Sequence, residues 1–449
     1  MRHDRILACL TLGLLNVFVL ATGVVALDVI ESRPGETAPY PVARAEEGPA
    51  PAAADAGAEA VGPDRLADIL DDPMSRSDIS EGLFAYVADA QTHQELYARQ
   101  GTKGAVPAST TKVVTAVAVL HSPGPDTHIT TRVVRGEDPD EVVLVGGGDP
   151  TLTRKDDGER YPRLATLEDL ARQTAASLDE EGIDAVRLDY DDSTYPGSAL
   201  GPGWKKNYVP EGSTGAVHAL MIDEGRVEPD SSSRVENPPL VAAEAFAKEL
   251  ESAGITVTGG LSEVTAPEEP DVLGSVDSPP VSALVEMMML TSDNNIAEAL
   301  ARQIALAQGE ELTFEGAVAA TDTVLAELGI EGVDISDNSG LSTRNRISPQ
   351  ALVELLLLAA DPDRPDLYYT LSGLPTAHFS GSLRSRYSPS GPAEAGAGLV
   401  RAKTGTLNGV SALAGTAYNA EGRLVVFAFV ANHSGASGYI LDTLAAVLV

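Results

Sequence analysis

Cysteine is almost absent: Cys9 is the only one in 449 residues. A single thiol excludes intramolecular disulfides and cysteine-rich zinc sites. Histidine does not fill the gap. The seven histidines (His3, His93, His121, His128, His218, His378, His433) are scattered, with no HExxH or comparable ligand spacing. No metal and no cofactor is predicted. Aromatic residues make up only 4%, and Trp204 is the single tryptophan. Basic residues are scarce as well, seven Lys and twenty-four Arg against 66 Asp and Glu, for a formal net charge of −35. That excludes a nucleic-acid partner, because holding phosphates needs a basic face. It also means that a site for an anionic substrate must carry its own cations against a repulsive field.

The chain is too long for one ordinary domain and long enough to bury a large core. Arg2 and Arg5 precede an uncharged run from Ile6 to Leu27, and Asp28 and Glu31 follow it. This order predicts export, so the remainder is expected to be extracytoplasmic. The 22-residue run suits a spanning helix, while Val24-Val25-Ala26 allows cleavage, so residues 1–27 are a membrane anchor or a signal segment. Residues 28–63, rich in Ala, Pro, Glu and Gly, bury too little apolar surface to offset ordering and read as a disordered linker.

Folded structure is expected from residue 64. Leu83 to Ala88 alternates like a strand, with a partner at Gln94 to Ala98, and an apolar helix follows over Pro107 to Leu120. Residues 123–274 have a different texture. Strand-like "DEVVLV" and "IDAVRLDYDDS" flank a helix opened by Thr166 and closed by Gly182; Asn237 and Pro238 open another that ends at Gly254. The echo between "LDEEGIDAV" and "LESAGITVT" suggests a small inserted α/β domain built from related units. Helices return at Val281 to Leu290, Asn294 to Ala305, Thr313 to Leu328 and Ser348 to Ala360. Three strand-like stretches and a last helix, Gly438 to Val449, close the chain. The prediction is an α+β domain, 64–122 with 275–449, whose antiparallel sheet is covered by helices, interrupted by the insert at 123–274.

Three short elements carry chemistry. Ser109 and Lys112 lie three apart at a helix start and share a face. A serine hydroxyl needs a base to become a nucleophile, and a lysine serves only if burial or a second cation lowers its pKa. The helix N-terminus then offers N–H groups where an oxyanion would form. In "TSDNN", Ser292 suits proton relay to a leaving amine, and Asn294 suits holding a substrate amide while orienting Lys112. In "KTGT", Lys403 supplies the second cation that would depress Lys112 and attract a carboxylate. Thr404 and Thr406 are placed to hydrogen-bond that carboxylate, Gly405 to admit a substrate backbone, and the Thr406 N–H to complete an oxyanion hole with that of Ser109. Singly, each has a commonplace reading: a helix N-terminal serine, a capping cluster, an edge strand with a protective lysine. Together, in this order, they are far more specific.

The trio STTK, SDN and KTGT resembles the active-site set of penicillin-binding proteins and serine β-lactamases. Further stretches narrow the likeness: "LVGGGDPTLT", "DDSTYPG" with "GPGW", "DNSGLSTRNRISP", and "SGSLRSRY" before "VRAKTGTLNGVSALAG". These are similar to class C low-molecular-mass penicillin-binding proteins, the D-alanyl-D-alanine carboxypeptidase/endopeptidases, over nearly everything from Asp64 to Val449. The resemblance implies a transpeptidase-like domain and a Ser109 acyl-enzyme formed on peptidoglycan stem peptides, with β-lactams as covalent inhibitors. It also brings Ser339 and Leu341 to the substrate. Two departures stand out. The insert looks short, which predicts that a further nested subdomain is absent. Where many relatives carry an arginine after the Ser339–Ser342 stretch, this chain has Thr343, with Arg344 following, so no inherited side-chain preference is carried over.

Two rivals remain. A β-lactamase needs a dedicated deacylation base, and no Glu-x-x-Leu-Asn segment stands between the first two motifs. A membrane-tethered sensor that is acylated without turnover is the other.

Overall fold

The computed structural model describes residues 63–75, 82–156, 158, 161–229 and 231–449. The hydrophobic run at Ile6 to Leu27 and nearly all of the expected linker lie outside them. Among the described residues no helix is long and apolar enough to cross a membrane.

A helix that the sequence reading passed over opens the fold. In α1 (Pro63–Ser75), Leu66, Leu70 and Met74 recur every four residues and are buried. Strands β1 (Leu83–Asp89) and β2 (Glu95–Arg99) then pair antiparallel, as expected. A 3-10 turn, Ala108–Thr111, leads into α2 (Lys112–His121).

The insert comprises β3 (Thr130–Arg135), β4 (Glu141–Val145), α3 (Leu167–Glu180), β5 (Ala185–Asp191), α4 (Pro238–Ser252), β6 (Thr256–Glu263) and β7 (Val272–Asp277). Its sheet has the order β6-β5-β4-β3-β7, and its core is its own, with Leu144, Leu170, Leu188 and Phe246 at the centre. Thr166 and Asn237 cap the two helices by accepting from the Asp169 and Leu240 N–H groups. Gly182 and Gly254, both at positive φ, end them. The chain then enters β5 and β6, which lie side by side and parallel, so the echoed segments are equivalent helix–strand units. Strand β7 runs to Asp277 and pairs with β3. The boundary expected at 274 therefore falls inside a strand, because local sequence does not announce a pairing partner 140 residues away.

The main body resumes with α5 (Val281–Thr291), α6 (Asn294–Gln308), α7 (Phe314–Leu328), the short pair β8 (Val333–Asp334) and β9 (Arg346–Ile347), and α8 (Pro349–Ala360). It ends with β10 (Val400–Leu407), β11 (Val410–Tyr418), β12 (Leu424–Asn432) and α9 (Gly438–Ala446). The large sheet is antiparallel in the order β10-β11-β12-β1-β2. Period-two alternation sends its faces to different cores. Ala88, Ala414, Val426 and Ala428 pack with α2, α5, α6 and α8. Ala85, Val87, Phe427 and Phe429 pack with α1 and α9. This is the α+β arrangement with an α/β insert that the sequence predicted. Helix α2 is buried from Lys112 to Leu120, so it runs through the core with a lysine at its mouth.

Candidate active site

Ser109 sits in the 3-10 turn, just ahead of α2. The sequence predicted a plain helix from Pro107; instead Ala108 takes a φ of 49°, a strained conformation for a residue with a Cβ. Thr110 and Thr111 fasten the turn by donating their hydroxyls to the Pro107 and Ala108 carbonyls at 2.8 and 2.9 Å. Two glycines let other segments close on it. A Cβ on Gly340 would stand 2.0 Å from the Ala108 oxygen, and one on Gly405 would stand 2.6 Å from the Pro107 oxygen and 3.1 Å from Ser109 N. Gly405 therefore makes room for the Ser109 turn.

Lys112 is fully buried. Its Nζ donates to Asn294 Oδ1 and the Ser339 carbonyl, both at 2.6 Å, and reaches Ser109 Oγ at 3.3 Å. Three acceptors use the three protons of an ammonium. Burial draws the lysine down to about 8, while the charges of Asp293, Asp337 and Glu298 hold it up. A base of that strength beside a hydroxyl can take its proton near neutral pH.

Lys403, also fully buried, donates to Ser292 Oγ at 2.7 Å and to the Thr404 carbonyl at 2.9 Å. Ser292 ends α5 in the left-handed conformation, φ 63°, and Asp293 caps α6 by accepting from the Asn295 and Ile296 N–H groups. That sharp junction turns Ser292 toward one lysine and Asn294 toward the other. Lys403 lies well below its ordinary value, through burial first and the Lys112 charge second, so the two buried lysines disfavour each other's ammonium form.

Strand β10 is an edge strand. Its Ala402 N–H leaves the sheet to reach the Pro375 carbonyl. In an antiparallel ladder, alternate residues share that outward direction, so the Thr404 and Thr406 N–H groups also point off the edge. Thr406 follows Gly405, whose Cα side faces the Ser109 amide. Its side chain is exposed, whereas the Thr404 hydroxyl is paired with Ser382 Oγ at 2.7 Å. Of the two threonines expected at a substrate carboxylate, only Thr406 has a side chain open to solvent.

The sequence matches the D-Ala-D-Ala carboxypeptidase 3 (S13) family over residues 64–233 and 229–443. The chain belongs to that family. It is a serine-type D-Ala-D-Ala carboxypeptidase, acting on peptides outside the cytoplasm. Carboxypeptidase Rv3627c of Mycobacterium tuberculosis is 36% identical over 373 residues, 81% of this chain and 79% of that protein. Carboxypeptidase DacB of Mycolicibacterium smegmatis is 37% identical over 374 residues, with the same coverage of 81% and 79%. The crystal structure of penicillin binding protein 4 (dacB) from Haemophilus influenzae superposes with a TM-score of 0.69 at 22% identity, covering 86% of this chain and 98% of that one. The fold is thus the penicillin-binding, β-lactamase-like one.

Two residues of the carboxypeptidase sit differently from expectation. Ser339 and Leu341, expected at the substrate, are 0% and 5% exposed. Ser339 meets Lys112 through its carbonyl, and the Leu341 carbonyl accepts from Tyr208 Oη at 3.3 Å. Their side chains line no open surface.

Other contributors lie outside the three elements. Asp337 is the hub of the 337–345 loop: it accepts from the Gly340 and Ser342 N–H groups and from Asn345 Nδ2 at 2.7 to 2.9 Å. Trp204 of the insert donates Nε1 to the same carboxylate at 2.6 Å. Arg226 of the insert reaches Asp293 at 3.2 Å. The quoted stretches "GPGW" and "DNSGLS" contained two of these partners, but nothing local marks which distant residue each will meet.

Proposed function

We propose that Ser109 is the nucleophile of this carboxypeptidase and Lys112 its base, acting on peptidoglycan stem peptides that end in D-alanyl-D-alanine. The observation that carries this is the buried Lys112 Nζ, held by Asn294 and Ser339 within 3.3 Å of Ser109 Oγ. Lys112 takes the hydroxyl proton as Oγ attacks the carbonyl carbon between the two D-alanines. The N–H groups of Ser109 and Thr406 receive the oxyanion. Collapse breaks the C–N bond, and the proton gained by Lys112 passes to the leaving amine through Ser292, which Lys403 holds at 2.7 Å, leaving Lys112 neutral again. D-alanine departs. Water, deprotonated by Lys112, then cleaves the ester and restores Ser109.

Lys403 and Thr406 supply the local attraction for the substrate carboxylate that a chain of net charge −35 otherwise lacks. β-Lactams enter the same site and acylate Ser109. The run Ile6 to Leu27 exports the enzyme and, if retained, tethers it to the membrane. The insert forms its own domain, with its far boundary after Asp277 rather than at 274.

Intact mass after incubation with benzylpenicillin tests this reading, beside a Ser109→Ala variant. A single lasting adduct on the parent and none on the variant is expected. No adduct on either sinks the catalytic assignment, and an adduct lost quickly with consumption of penicillin makes the protein a β-lactamase. Release of D-alanine from a stem pentapeptide checks the substrate.

A further inference from the structure

Helix α6 carries a buried ion pair that takes no part in the chemistry above. Glu298 and Arg302 have side chains 0% and 2% exposed. A buried pair of this kind stabilises a fold little compared with well-packed apolar residues, so its geometry deserves a functional account. Glu298 Oε1 accepts the Asn338 and Ser339 N–H groups at 3.1 and 2.9 Å. Among the described residues its Oε2 accepts no hydrogen bond, and it faces Arg302 Nη1 at 3.6 Å. Arg302 is itself immobilised: Nη1 donates to the Glu298 carbonyl at 2.8 Å, and the guanidinium lies 5.0 Å from the Tyr195 ring and 4.3 Å from that of Phe314.

Ser339, whose N–H Glu298 receives, is also the residue whose carbonyl receives Lys112 Nζ at 2.6 Å. Resting on the reading of Lys112 as the base, we propose that Glu298 is a positioning residue for Lys112, acting through the Asn338–Ser339 backbone. Two charge-assisted bonds, one to the Asn338 N–H and one to the Ser339 N–H, hold the chain on the amide side of residue 339, which keeps its carbonyl from turning away from Nζ. Lys112 then faces Ser109 in one pose.

An electrostatic consequence follows. The Glu298 charge, with those of Asp293 and Asp337, favours the Lys112 ammonium. The Glu298 carboxyl is itself pushed up to about 7, by burial first and Asp337 next, with Arg302 opposing. The charged groups around the pair are thus Asp337 and Arg302 beside Glu298, and Asp293 and Lys403 beside Lys112.

The test compares the full parent chain with Glu298→Ala and Glu298→Gln, following benzylpenicillin acylation by intact mass across pH, with thermal unfolding as a check on folding. Alanine removes the acceptor, and acylation is expected to slow about tenfold or more at every pH. Glutamine keeps an acceptor but no charge. It is expected to stay within about threefold of the parent at high pH, with the rising limb displaced to lower pH by about half a unit or more. A folded Glu298→Ala with the parental rate overturns the proposal, as does a Glu298→Gln limb that coincides with the parent's. If alanine prevents folding, the glutamine limb decides. Failure of the underlying reading looks different: the parent then forms no adduct, or Ser109→Ala forms one too.

Discussion

The Asn294 side-chain amide donates to the Ser213 carbonyl at 2.7 Å while its oxygen receives Lys112 Nζ at 2.6 Å. One side chain therefore joins the insert to the buried lysine. Its neighbours are held from the same side. Arg226 reaches Asp293 at 3.2 Å, and the Gly215 N–H donates to Asn295 Oδ1 at 2.8 Å. The insert grips three consecutive residues at the start of α6, so its place in this enzyme is partly to set the lysine's surroundings.

Asn294→Asp tests that link. A carboxylate at 2.6 Å from Nζ favours the ammonium and raises Lys112. The acylation limb should move to higher pH, with the rate at neutral pH reduced about tenfold or more. Stopped-flow acylation against pH reads both.

In the parent, acylation requires neutral Lys112, whose pKa stands at about 8. Roughly a tenth of the enzyme is then competent at pH 7. The acylation rate should climb about tenfold per pH unit below that value and level above it. A flat profile from acid pH upward would exclude Lys112 as the titrating base.

Gly405→Ala places a Cβ 2.6 Å from the Pro107 oxygen. Strand β10 must then retreat from the Ser109 turn, and acylation should fall about ten- to a hundredfold. Because only an edge strand shifts, the loss of stability should be modest, about 1–3 kcal/mol. Acylation rate and urea unfolding measured on one sample separate the two effects.

Trp204→Phe retains most of the ring and removes the Nε1 donor from Asp337, a 2.6 Å bond. The carboxylate keeps its other donors, so the expected cost is about 1–3 kcal/mol. Chemical unfolding gives that figure. Slower acylation in a still-folded variant would show that strain at Asp337 passes along the loop to Ser339.

Local signals carried much of the architecture. Thr166, Asn237, Thr313 and Ser348 all cap helices with their side chains, as a cap residue before an apolar run predicts. The C-terminal strands carry the alternation and turns of a meander, and the structure pairs them so. Strands β3 and β7 were missed because their pairing is long-range. Helix α1 was missed although its four-residue apolar repeat was present among many acidic residues. Glu298 and Arg302 look in sequence like ordinary charges on an amphipathic helix. Only the packing of Tyr195, Phe314 and the 337–345 loop over them takes them out of water.

By itself the sequence determined which residues were candidates to meet: Ser109 with Lys112, Ser292 with Asn294, and Lys403 on its strand, and the structure brings them together. Spacing within a helix or strand fixes which side chains share a face, and that information is local. The tertiary structure alone decided how those residues are charged and aimed. Lys112 is buried, with its pKa drawn down to about 8, because α2 runs through the core, and its Nζ meets the carbonyl of Ser339 in a loop bonded to Glu298 and Asp337. Desolvation and buried hydrogen bonds arise from segments distant in the chain, so no single stretch of sequence contains them.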